Sequence, residues 1–99
     1  MPRKPSNAPR PHKDIGDRLR LIMEVEKLSG VQVQKLLGIK PTRWSNYVCG
    51  ITKIPEQLAR ELQIYGVSLE WIYSGQKRHL THEFVIGLAK AEAERQNAG

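Results

Sequence analysis

In the stretch KPTRWSNYVCG, residues 40–50, four hydrogen-bonding side chains fall within five positions: Thr42, Arg43, Ser45 and Asn46. A guanidinium presents parallel N–H donors in a planar fork, and a carboxamide both donates and accepts. Against base edges those geometries match guanine and adenine, and each good bidentate pair discriminates by about 1–3 kcal/mol. The two hydroxyls serve base or backbone. Two simpler roles stand beside this one: a solvated helix face for the whole set, and a phosphate contact for Arg43. Lys40 and Lys53 flank the stretch and Lys35 precedes it. All three are candidate phosphate contacts, since a phosphate takes a lysine as a point charge.

These side chains act together only if one element holds them on one side. A helix over residues 41–50 does so. Pro41 suits its first position, where a missing N–H costs nothing, and Gly50 closes it. At about 100° per residue, Trp44, Tyr47 and Val48 share one face. Thr42, Ser45, Asn46 and Cys49 take the other, with Arg43 at its margin. A shorter helix precedes it. Ser29 and Gln32 form a capping box, Val33, Leu36 and Leu37 point inward, and Gly38 stops it in the left-handed conformation. Joined by residues 38–40, the two have the length and punctuation of a helix-turn-helix. Such a unit lays its second helix in the major groove.

The remaining segments must support that pair. Residues 1–13 hold four prolines and no apolar periodicity, and are expected to be a disordered basic arm. Asp14 is placed to cap a first helix with Ile15, Leu19, Ile22 and Met23 on one stripe. Gly16 within it costs about 1 kcal/mol relative to alanine, so either that end frays or another backbone packs close. A fourth helix is expected from about Pro55 to Tyr65, with Leu58, Leu62 and Tyr65 facing the core. A fifth is capped by Ser68, anchored by Leu69, Ile72 and Trp71, and closed by Gly75. After a loop, Thr81 caps a sixth. The expected fold is all-α: residues 14–75 as a five-helix domain, then 76–99 as a loop and an extra C-terminal helix.

Charge distribution narrows the partner. The formal net charge is +6. Residues 1–13 carry Arg3, Lys4, Arg10 and Lys13 and no acid; between Glu26 and Glu56 stand Lys27, Lys35, Lys40, Arg43 and Lys53, again without an acid. Basic blocks beside acidic flanks suit a polyanion. No apolar run approaches the ~18 residues that span a bilayer, and the N-terminus lacks a signal peptide's apolar stretch. A cytoplasmic protein is expected. The single cysteine, Cys49, makes no internal disulfide. His79 and His82 lie three apart without a third ligand, so neither metal nor other cofactor is expected. No nucleophile–base pair, phosphate-cradling loop or paired carboxylates appear, and an enzyme is not expected.

Residues 15–75 resemble the helix-turn-helix domain of phage repressors and Cro proteins, the xenobiotic-response-element type. IGDRLRLI is similar to the family's opening helix. LSGVQVQKLLGIKPTRWSNYVCG is similar to its capped second helix, its Leu-Leu-Gly turn and its third helix ending in glycine. ITKIPEQLARELQIYGVSLEWIYSG is similar to its closing segment. The chain departs from the family at Gly30, usually glutamine, and at Gln34, usually alanine. It departs again at Trp44, usually a smaller aliphatic residue, and at Val48 and Cys49, usually an acid and a base. Without that acid, Arg18 is left to find another partner or a phosphate.

The resemblance implies a sequence-specific double-stranded DNA-binding transcriptional regulator, a repressor acting as a homodimer on two half-sites. An antitoxin-like interaction protein, binding a partner protein and its own operator, is the alternative. A second copy needs a surface. On the sixth helix Phe84, Leu88 and Ala91 share one stripe. Phe84 and Leu88 are the candidate dimer interface, and packing of that stripe onto the chain's own core is the other use for it.

Overall fold

The computed structural model describes residues 9–98, with side chains through residue 96. The fold is all-α: among the described residues there are six α-helices and no strand. They are α1 (Lys13–Glu26), α2 (Gly30–Leu37), α3 (Pro41–Val48), α4 (Glu56–Glu61), α5 (Leu69–Ser74) and α6 (His82–Ala98).

The core is assembled from one stripe of each helix. Leu19 and Ile22 of α1, Val33 of α2, Trp44 and Tyr47 of α3, Ala59 of α4 and Ile72 of α5 are all buried. α1 runs through the middle of this arrangement and packs against α3, α5 and α6.

Gly16 sets how closely α1 approaches α3. A methyl group built on it would lie 2.9 Å from the Tyr47 carbonyl oxygen and nearer still to that of Val48. Of the two accounts open for this glycine, close backbone packing is the one observed. The end of α1 departs from expectation. His12 occupies the capping position without a side-chain cap, and Asp14 lies inside the first turn. Asp14 therefore does not cap; its carboxylate adds only charge near the helix's positive end.

The arm expected over residues 1–13 is shorter at its C-terminal side. The His12 amide donates to the Gly50 carbonyl at 2.9 Å, and Arg10 Nε donates to the Cys49 carbonyl at 2.8 Å. Two backbone acceptors left over at the end of α3 thus fasten residues that periodicity alone marks as free. Residues 1–8 lie outside the described residues.

α4 is also shorter than expected. Pro55 caps it, and its continuation Leu62–Tyr65 is a 3-10 turn. Tightening keeps the last carbonyls bonded while the chain turns. Leu62 stays buried and Tyr65 is half-buried against the core. Ser68 caps α5 as expected, its Oγ accepting from the Trp71 amide at 3.1 Å. Thr81 caps α6, its Oγ1 accepting from the Phe84 amide at 3.2 Å.

The stripe on α6 packs inward. Phe84 and Leu88 are 1% and 2% exposed, and Ala91 is buried with them. The Phe84 ring stands edge-on to Trp71, with centroids 5.3 Å apart and planes at 74°. A side chain so enclosed offers no surface to a second copy, so Phe84 and Leu88 as a dimer interface is corrected: they are core. The physical reason is that five short helices leave the inner faces of α1 and α5 uncovered, and α6 is the element that covers them. Arg95 reinforces the α1–α6 contact from outside, its Nη2 lying 2.8 Å from Glu24 Oε1.

Candidate nucleic-acid interface

The local rules that shape α2 and α3 are all satisfied. Ser29 Oγ accepts from the Gln32 amide at 3.2 Å, and Gln32 Oε1 accepts from the Ser29 amide at 2.7 Å. Gln32 is thereby committed to capping. At the other end, Gly38 has φ 68°, and the amides of Gly38 and Ile39 both donate to the Gln34 carbonyl, at 2.8 and 3.1 Å. That pair of hydrogen bonds stops α2 and turns the chain into α3 within three residues. Pro41 takes the first turn of α3, and no side chain caps that helix.

Three of the residues singled out in the sequence, Gly30, Gln34 and Trp44, meet at the α2–α3 contact. A methyl group built on Gly30 would lie 3.4 Å from Gln34 Nε2 and 3.7 Å from Trp44 Cδ1. Gly30 therefore lies against both side chains, at distances a methyl group would fill as ordinary contact. Arg18 finds a partner too: its Nη1 donates to the Ile72 carbonyl at 3.1 Å. A guanidinium near the last turn of α5 matches the negative end of that helix.

On α3, Trp44 and Tyr47 are buried at 4% and 3% exposure, while Thr42, Arg43 and Ser45 are exposed and Asn46 is half-buried. Thr42, Arg43 and Asn46 are brought together. With Gly38, Ile39 and Lys40 they line a shallow concavity of about 520 Å³. Ser45 is outside that lining. The Arg43 side chain lies back along α3, its Nε donating to the Tyr47 hydroxyl at 2.6 Å.

The cations around this face differ in their surroundings. Lys35 and Lys40 are exposed. Lys53 is exposed as well, but its Nζ sits 5.1 Å from the centre of the Tyr73 ring. Tyr73 donates its hydroxyl proton to the Ile54 carbonyl at 2.7 Å. Burial, and then the nearby Glu56 carboxylate, push the Tyr73 phenol above its ordinary range. Within the described residues, Lys35, Lys40, Arg43 and Lys53 form no ion pair, whereas Lys13, Arg60 and Arg95 pair with Asp17, Glu56 and Glu24.

Sequence reasoning missed the residues that brace α3 from behind. Arg10 and His12 hold its C-terminal end, and Tyr47 holds Arg43. Only the last had a legible signal, an i, i+4 spacing. His79 and His82 stay apart in role. His79 has φ 60° and lies 3.7 Å from Glu70, and among the described residues no group of three or more His, Cys, Asp or Glu is placed to hold a metal ion. No helix of the described residues is long and apolar enough to cross a membrane. No protein-family model, curated protein or solved structure matches the chain.

Proposed function

We propose that this protein is a sequence-specific double-stranded DNA-binding transcriptional regulator of the phage repressor and Cro type. It acts in the cytoplasm as a repressor. One observation carries the reading: an acid-free run of sequence supplies α3 with a largely exposed, hydrogen-bonding outer face, and supplies Lys35, Lys40 and Lys53, which are exposed and form no ion pair among the described residues. A helix backed by buried Trp44 and Tyr47 is rigid enough to present that face. Thr42, Arg43, Ser45 and Asn46 read base edges in the major groove, while Lys35, Lys40 and Lys53 hold phosphates.

The experiment is selection from a random duplex pool, followed by affinity measurements on the selected site. A consensus is expected. Arg43→Ala and Asn46→Ala are each expected to cost about 1–3 kcal/mol on the selected site and much less on random duplex. Selection that yields no consensus, or variants that bind the selected site like the parent, would remove this reading.

The lysines have a different signature. Lys40→Ala and Lys53→Ala are expected to weaken selected and random duplex alike. Each lost phosphate contact should flatten the slope of log affinity against log salt by about 0.9. A salt titration of each variant against the parent protein reads this directly, and unchanged slopes would sink the phosphate assignment.

One recognition helix covers few base pairs, so the proposal includes a homodimer on half-sites about one DNA turn apart. With Phe84 and Leu88 enclosed, the contact must use apolar side chains left outside, such as Val85 and Ile86 on α6, 43% and 56% exposed. Sedimentation is expected to show a dimer, alone or on the selected site, that Ile86→Lys weakens. A monomer under both conditions would count against it.

A further inference from the structure

We infer that the Tyr47 hydroxyl is the group that aims Arg43, and that the contact so aimed is a guanine read end-on. The inference rests on the DNA-binding reading above and adds to it a positioning residue and a base.

Tyr47 looks at first like simple core, because the residue is only 3% exposed. Its hydroxyl nevertheless reaches Arg43 Nε, 2.6 Å away, and the Arg43 guanidinium carbon lies 5.8 Å from the centre of the Tyr47 ring. A buried ring is fixed by its neighbours, so its hydroxyl is a fixed acceptor. Arginine carries about 2 kcal/mol of rotamer entropy. An exposed arginine without a partner would have to lose that freedom on binding. The bond to Tyr47 removes part of it beforehand, which is how preorganisation raises specific affinity.

The choice of nitrogen matters as much as the bond. A guanidinium can present two donors side-on, through Nε and one Nη, or end-on, through both Nη atoms. Here Nε–H is occupied by the Tyr47 oxygen. The end-on pair is left, and two parallel donors match the O6 and N7 acceptors of guanine. Arg43 also lines the concavity shared with Lys40, Thr42 and Asn46. Arg43 thus borders the other candidate contacts.

The test is Tyr47→Phe, which keeps the buried ring and removes only the oxygen. In the free protein, the Nε–H of Arg43 is expected to exchange slowly with solvent by NMR, and to exchange fast in Y47F. This readout needs no DNA. In duplex selection, the parent should favour guanine at one position per half-site that depends on Arg43, by the roughly 5- to 150-fold a bidentate pair supplies. Y47F should lose about an order of magnitude of that preference while binding random duplex as before. In an Arg43→Ala background, Y47F should change nothing further.

The outcomes separate cleanly. No consensus from the parent defeats the functional reading itself. A consensus in which R43A shifts no guanine defeats the base assignment. A guanine lost in R43A but kept in full by Y47F, or equal Nε–H exchange in both proteins, defeats the positioning role of Tyr47.

Discussion

Replacing Phe84 by alanine is expected to cost about 3–5 kcal/mol of folding stability, as for other buried phenylalanines. Domains of this size have only about 5–15 kcal/mol in total. Phe84 is 1% exposed and stands edge-on to Trp71. The substitution therefore removes apolar burial and an aromatic contact together. Urea denaturation at two protein concentrations an order of magnitude apart checks this. The loss should be the same at both, because the contact is within the chain. A loss below about 1 kcal/mol, or a midpoint that climbs steeply with concentration in the parent and not in the variant, would return Phe84 to an interface. A chain ending at Gly75 lacks Phe84, Leu88 and Ala91 and is expected to fail to fold stably for the same reason.

Gly16→Ala is the second large effect, and its sign is unusual. In an exposed helix interior this change stabilises by about 1 kcal/mol. Here the new methyl group meets carbonyl oxygens of Tyr47 and Val48, and the Gly50 amide nitrogen at 3.0 Å. All three are backbone atoms, which no rotamer change can move aside. Overpacking typically costs 1–3 kcal/mol, and a rigid wall puts this site at about 3 kcal/mol, with a fall in Tm on the order of 10–20 °C. Because the wall is the C-terminal end of α3, the change should also disturb the outer face of that helix. A melting temperature equal to the parent's would show that α1 and α3 separate without cost. The same approach is guarded at Gly50, φ 81°, where a methyl group would meet Lys13 Cα at 2.6 Å.

Short-range physics was legible in the residues themselves. The Ser29–Gln32 capping box, Gly38 as a stop, Pro41 as a start, and the Ser68 and Thr81 caps all form as their types and spacing require. Each depends on atoms no more than a few positions apart, so no knowledge of the fold is needed. The two faces of α3 follow for the same reason, since helical periodicity alone separates Trp44 and Tyr47 from Thr42, Arg43 and Ser45. What tertiary structure decided was which partner each surface meets. The stripe of Phe84 and Leu88 has one hydrophobic pattern and two possible uses; only the uncovered inner face of α1 and α5 selects burial within the chain. The anchoring of Arg10 and His12 depends on carbonyls about forty residues away, at Cys49 and Gly50. Likewise, Arg18 could be seen to need a partner, but the Ile72 carbonyl becomes that partner only when α5 is laid beside α1. Periodicity fixes the direction in which a side chain points, while burial is a property of what stands opposite, and that is set by how the helices pack.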